Sequence, residues 1–314
     1  MSSLPVQIKH PVFTPLGSDL KVIRIRKYLS LSGLMLEEFK RRHAVSNLRN
    51  ELYPMTKDWW WATEDALTTF AEQLKTSSHC VLDGFLGADA VKAVQQEIKM
   101  AKDTGMINEE GRLGGGREGS ASMASVEKGI RSDKLGWFEC SVQPDPSTTA
   151  CSFVDTPNDG TWRGLEHLLA RMETIAFELR PKVADLAGVK SRSKAMLTCY
   201  PAAKEGYEGT GARYTKHYDN ANANGRRLTA IYYPNADWKR SYGGALRLYQ
   251  TMDEDSVHVD VEPIADRLVL FYSDTRCLHE VLPVVTQERD RFALTLWFYD
   301  DSERRTARSG GQGE

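Results

Sequence analysis

No apolar stretch in this chain approaches the length a bilayer requires, which argues against a helical membrane span. The opening residues, MSSLPVQIKHP, lack the apolar core of a secretory signal. Dense basic runs are missing as well, and the formal net charge is only −2. Neither nucleic acid nor a membrane surface is therefore expected as a partner. Cysteine is scarce: Cys80, Cys140, Cys151, Cys199 and Cys277 are scattered, odd in number and without a CxxC pair. That pattern predicts neither a disulfide framework nor a zinc finger, and points to a reducing compartment, cytoplasmic or nuclear. No internal repeat is visible.

What is present is a globular composition, 41% hydrophobic and 27% charged over 314 residues, enough for one large domain with an extension. Residues 1–62 read as an N-terminal extension of unknown role, ending in the aromatic cluster DWWW (Asp58–Trp61). Three successive tryptophans more readily pack an extension onto a domain than bind a ligand. From Thr63 the chain reads helix, short strand, helix, with Leu67, Phe70 and Leu74, then Val91, Val94 and Ile98, at helical spacing. The stretch GRLGGGREGSASMAS (111–125) is rich in Gly and Ser and is expected to be a mobile lid loop. A further amphipathic helix carries Leu165, Leu168, Leu169, Met172 and Ile175 on one face. After it the chain becomes almost wholly β, in short strands separated by Gly, Asn and Asp turns, as in a sandwich or jelly roll. The domain is expected to end near residue 304, and residues 305–314 to form a disordered tail.

Two His-x-Asp pairs compete for attention, His217-Tyr218-Asp219 and His258-Val259-Asp260. In a strand, residues two apart face the same way, so either pair could offer an imidazole and a carboxylate to one point. That is two thirds of the 2-His-1-carboxylate set that holds non-haem Fe(II) with open positions. His279, in TRCLHEVLP, is the candidate third ligand. Sixty residues separate it from Asp219, enough for four intervening strands, whereas only nineteen separate it from Asp260. His258 also follows the acidic run MDEDS and reads as exposed on an outer strand. The first pair is therefore the expected site.

Twelve residues beyond His279 lies RFALTLWFYD, where Arg291, Thr295 and Trp297 share one strand face and Phe292, Leu294, Leu296 and Phe298 the other. An arginine opening an apolar strand is costly to bury without an anion, and its planar fork suits a carboxylate. Thr229, Ile231 and Tyr233 are likewise in phase. A dicarboxylate could chelate the metal at one end and meet Arg291 and Tyr233 at the other, which describes 2-oxoglutarate.

The ordered constellation CYP, Y-x-x-H-x-D-N, G-R, T-x-I-Y-Y, GG-x-L-R, DRL-x-x-F-x-SD, HEV-x-P and R-x-A-x-T-x-W-x-x-D closely resembles the HIF prolyl hydroxylases. It also resembles their protist relatives that hydroxylate the adaptor subunit of SCF-type ubiquitin ligases. The likeness runs from about Asp65 to Arg304. It implies an α+β, mainly β fold, a double-stranded β-helix (jelly roll) supported by N-terminal helices over residues 63–304. It implies an enzyme that is a prolyl 4-hydroxylase of a protein substrate, using O2, Fe(II) and 2-oxoglutarate with ascorbate as reductant, in oxygen sensing.

Carried over position by position, His217, Asp219 and His279 resemble the iron ligands, and Arg291, Tyr233, Tyr200, Thr295 and Leu246 the cosubstrate pocket. Asp133, Arg226 and Trp297 resemble substrate-side positions, the first two holding the loop over the substrate. The chain departs from the pattern in its longer, Gly-richer 111–125 stretch and in three residues inserted before Arg291, which make Arg289 a rival for the anion. The absence of a MYND-type zinc finger, the first cysteine being Cys80, leans the expected partner from a HIF-α-like peptide towards the SCF adaptor. A monomer is expected. A 2-oxoglutarate oxygenase of a small molecule or free amino acid, and a jelly-roll interaction module with a vestigial site, are the competing readings. Asp133 and Arg226 favour a peptide over the former, and the intact triad with Arg291 opposes the latter.

Overall fold

The computed structural model describes residues 57–115, 120–125, 129–142, 149–154, 162–204, 211–221, 223–250 and 257–309. Helices α1 (Glu64–Ser77), α2 (Ala88–Asp103) and α3 (Arg163–Leu179) are the expected amphipathic segments. The first strands are β1 (His79–Asp83), β2 (Glu109–Glu110), β3 (Leu113–Gly115), β4 (Ser120–Ser125), β5 (Lys134–Val142) and β6 (Thr149–Phe153). After α3 come β7 (Val189–Arg192), β8 (Ala195–Tyr200), β9 (Tyr214–His217), β10 (Arg226–Tyr233) and β11 (Leu246–Tyr249). The last are β12 (His258–Val261), β13 (Arg267–Tyr272), β14 (Leu278–Val281) and β15 (Arg291–Asp300), followed by helix α4 (Asp301–Ser309).

Nine strands make a major antiparallel sheet in the order β1-β13-β10-β15-β8-β5-β2, with β6 added to β5 and β7 to β15. A minor sheet runs β12-β11-β14-β9. Such a pair of facing antiparallel sheets is the jelly-roll arrangement predicted from the strand pattern.

Alternation along the strands divides the interior in two. On one face of the major sheet Leu228, Ala230, Tyr232, Leu268, Leu270, Leu294, Leu296 and Phe298 are buried with the apolar stripes of α1, α2 and α3. Phases opposite to these, Ile231, Tyr233, Val269, Phe271 and Ala293, pack with Leu246, Leu248 and Val281 of the minor sheet. The helices thus brace the outside of the sheet whose inside forms the site. Glu97 on α2 locks α3 in place by accepting from the Gly164 and Leu165 backbone amides at 2.7 Å each, supplying the cap that the α3 N-terminus lacks.

The tryptophan cluster belongs to this framework. Trp61 is fully buried, donates to the Phe85 carbonyl at 3.0 Å and packs its ring tilted against that of Phe85, while Trp60 donates to the Gly84 carbonyl. Packing, as expected, is its role, so the tryptophans just before Thr63 pack into the same core as the helices that follow. The remainder of the extension lies outside the described residues.

Three sequence expectations need correction. Cys140 and Cys151 form a disulfide, because β5 and β6 pair in a register that sets them directly opposite. The cysteine pattern therefore carries no argument for a reducing compartment. Within 111–125, expected to be a loop, β3 and β4 form an antiparallel pair. The tail is helical through Ser309: Asp300 accepts from the Ser302 and Glu303 amides, and Ala307 is buried. No helix among the described residues is long and apolar enough to cross a membrane.

Candidate active site

His217 closes β9 and His279 lies in β14, and the two strands pair with these residues directly opposite. Four strands, β10 to β13, intervene in the chain, as the sixty-residue interval required. Asp219 is not on a strand face, as the two-residue spacing suggested, but in the turn that follows β9. Asn220 builds that turn: its side chain donates to the Arg226 carbonyl at 2.7 Å and accepts from the Asn224 amide at 2.7 Å. Gly225, at φ +91°, completes it where a Cβ would meet Arg304 at under 3 Å.

The donor atoms of His217, Asp219 and His279 all lie within 4.8 Å of one another, and among the described residues no other such cluster occurs. Each histidine Nδ1 faces a backbone carbonyl two residues earlier, Thr215 at 2.8 Å and Cys277 at 3.0 Å. With Nδ1 turned to these carbonyls, both rings present Nε2 to the centre, the nitrogen that ligates a metal in the neutral imidazole. Burial, reinforced by the neighbouring His279, pushes the His217 imidazole down to about 3, so it is neutral at physiological pH. Burial works against the Asp219 carboxylate, yet His279, His217, Arg226 and the Thr229 hydroxyl together hold it below the usual range.

Behind the triad lies a cavity of about 640 Å³ between the two sheets. At its wall, β15 and β8 pair Arg291 with Tyr200, and the guanidinium sits 4.8 Å from the Tyr200 ring and 5.0 Å from that of Tyr233. Arg291 is 1% exposed, its Nε donates to the Gly244 carbonyl at 2.6 Å, and no carboxylate among the described residues pairs with it. Gly244 must be glycine: it has φ +67°, and a Cβ would lie 2.8 Å from the Arg291 side chain. The Tyr233 hydroxyl is buried beside the Arg291 guanidinium and makes no well-aligned hydrogen bond among the described residues. A cation and a phenol left in this state cost several kcal/mol in order of magnitude unless an anionic ligand satisfies them. The rival Arg289 points elsewhere, donating to the Ala236 carbonyl at an exposed position. Thr295 and Leu246 line the same cavity.

Apolar and aromatic side chains line one part of the cavity wall. Leu135, Met196, Trp297 and Tyr299 form a cluster of their own with Trp137 against it, and the Trp137 and Trp297 rings are 6.5 Å apart. Arg226 covers Trp297 at 4.4 Å and donates to the Asp219 carbonyl at 2.8 Å, which places it beside the candidate metal site. Asp133 stands differently. It is fully buried and grips Arg131 through two bonds of 2.7 and 2.8 Å, and no hydrogen bond links it to Arg226. Arg131 in turn lies over Tyr214, which stacks on His217 at 3.6 Å. Sequence reasoning missed Arg131, Leu135, Trp137 and Met196, and quoted Tyr214 only as a motif letter without a role. The one available signal was Arg131-x-Asp133, a charged pair in phase at the head of a strand-like run.

The second pair is a decoy. His258 is exposed on the edge strand β12, and Asp260 is bound by Arg247 at 2.6 and 2.8 Å.

A donor set of two imidazoles and one carboxylate, beside a buried arginine and a phenol, suits Fe(II) and 2-oxoglutarate. Residues 196–299 match the sequence model of the 2OG-Fe(II) oxygenase superfamily, which sets the class of protein. Among curated proteins, the chain is 35% identical over 234 residues to the hypoxia-inducible factor prolyl hydroxylase of Caenorhabditis elegans, 74% of this chain but 28% of that protein. It is 33% identical over 230 residues to human prolyl hydroxylase EGLN3, covering 73% of this chain and 81% of the relative. Among solved structures, a Trichoplax adhaerens prolyl hydroxylase in complex with a hypoxia-inducible factor oxygen-degradation-domain peptide superposes with a TM-score of 0.61 at 28% identity, over 80% of this chain and 97% of the other. A Pseudomonas putida prolyl 4-hydroxylase does so at 0.53 and 26%, over 74% and 98%. The chain belongs to the HIF prolyl hydroxylase family of 2-oxoglutarate- and Fe(II)-dependent oxygenases.

Proposed function

We propose that the protein hydroxylates a proline of a protein substrate, in a reaction whose rate follows oxygen. The observation that carries this reading is the aromatic corner of Leu135, Trp137, Met196 and Trp297 beside the triad. A prolyl ring is apolar and flat-sided, and it gains by burial against indole faces. The Trp297 indole N–H is buried without a partner, a donor ready for a backbone carbonyl of the incoming peptide.

His217, Asp219 and His279 would hold the iron, and Arg291 with Tyr233 the far carboxylate of 2-oxoglutarate. Bound there, the pair supplies O2 activation coupled to oxidation of 2-oxoglutarate to succinate and CO2. The chain's own residues orient the cosubstrate, exclude water and seat the proline. All these groups come from one chain, so a monomer would suffice.

The C. elegans and Trichoplax relatives carry HIF in their names, which favours a HIF-type peptide as the first target to try, with an SCF adaptor as the second. Full-length protein would be incubated with Fe(II), ascorbate, 2-oxoglutarate and air, offering an oxygen-degradation-domain peptide and a whole SCF adaptor in parallel. Mass spectrometry should find one added oxygen on a proline of one substrate, absent with His279→Ala. Succinate without hydroxylation of either would show that the target is another; no succinate would defeat the catalytic reading. A rate already saturated at low oxygen would defeat the sensing role.

A further inference from the structure

Strand spacing sets Thr229 in phase with Tyr233, on the wall expected to meet the cosubstrate. Its hydroxyl is instead committed to the triad. Thr229 is fully buried on β10, and its Oγ1 donates to Asp219 Oδ2 at 2.6 Å. A second hydroxyl, on Ser273 just after β13, lies 2.8 Å from Thr229 Oγ1 and is also fully buried. A carboxylate only accepts, so the single Thr229 proton goes to Asp219, and Ser273 must therefore be the donor to Thr229. The direction of the chain is fixed: Ser273 to Thr229 to Asp219. Ser273 is anchored in the same turn, because its carbonyl accepts from the Asn220 amide at 2.8 Å.

The two carboxylate oxygens are thus unequal. Oδ1 lies 3.8 Å from His217 Nε2 and takes no hydroxyl from the described residues, whereas Oδ2, 3.8 Å from His279 Nε2, carries the Thr229 bond. We propose that Thr229, polarised by Ser273, is a positioning residue that holds Asp219 as a one-oxygen ligand through Oδ1. A carboxylate free to rotate could chelate through both oxygens and take a coordination position that a two-point cosubstrate needs. Hydrogen bonds in series strengthen one another, so the inner bond depends on the outer. The inference rests on His217, Asp219 and His279 being the metal ligands, and it goes beyond that assignment.

The test is titration of the full-length protein with Co(II), read by its visible ligand-field bands, with apo melting temperature recorded alongside. Thr229→Val keeps the shape of the side chain and removes the donor. It should weaken Co(II) binding roughly tenfold or more and alter the band positions, while Thr229→Ser returns both to within about threefold of wild type. Ser273→Ala, which leaves Thr229 in place, should give a smaller loss in the same direction. Wild-type affinity and spectrum in Thr229→Val would overturn the proposal. Should that variant fail to fold, unchanged binding in Ser273→Ala would overturn it equally. Asp219→Ala separates the two layers: if it binds Co(II) as wild type does, the ligand assignment itself falls, and the proposal with it.

Discussion

Two stretches of this protein carry the same letters, His-x-Asp with an arginine nearby, and meet opposite fates. His217 and Asp219 sit where β9 faces β14, so strand pairing supplies His279 as a third candidate ligand, and Arg291 behind them is buried without a carboxylate partner among the described residues. His258 and Asp260 sit on edge strand β12, two strands from His279, and Arg247 already grips Asp260. A local motif therefore decides little. What separates a site from a surface pair is whether the surrounding fold leaves charges unsatisfied inside or satisfies them at the rim.

The contrast can be broken most severely at the triad. His279→Ala should abolish Fe(II) binding, measured by titration, and reduce turnover to background; substantial retention would return the second pair to consideration. Next comes Arg291→Gln, which leaves a bound carboxylate with no cation. Truncating one member of a buried charged pair costs about 2–5 kcal/mol, so the KM for 2-oxoglutarate should rise by roughly a hundredfold with metal affinity unchanged. Gly244→Ala should act through Arg291, because the added methyl meets its side chain. We expect about 1–3 kcal/mol of lost stability by thermal unfolding, and a higher KM for 2-oxoglutarate without a change of metal affinity. Smallest of all, His258→Ala and Asp260→Asn should leave metal affinity and kcat within about twofold of wild type and stability within ~1 kcal/mol.

Much of the site was legible because its signals are chemical and local. A histidine and an aspartate two apart, a third ligand after four strands and an arginine in an apolar alternation are all visible as text. The alternation of Arg291, Thr295 and Trp297 against Leu294, Leu296 and Phe298 divides the cavity from the helix-packed core as expected. The features that escaped depend on pairing between distant segments. The Cys140–Cys151 bond comes from the β5–β6 register, which spacing alone does not fix. The two-residue spacing picked out residues that the fold does bring together with His279, though not through a strand face, since Asp219 lies in a turn shaped by Asn220 and Gly225. Arg131 reaches His217 only through Tyr214, a contact between segments eighty residues apart. The C-terminal helix was missed for another reason: its residues are almost all polar, which reads as a tail, although Asp300 with Glu303 three residues on is a helix-start signature.

The most direct measurement of the account is an anaerobic crystal structure with Mn(II) in place of iron and 2-oxoglutarate soaked in. Metal on His217, Asp219 and His279, with the far carboxylate against Arg291 and the Tyr233 hydroxyl, is the predicted result. Metal bound at His258 and Asp260, or a cosubstrate lying away from Arg291, would contradict it.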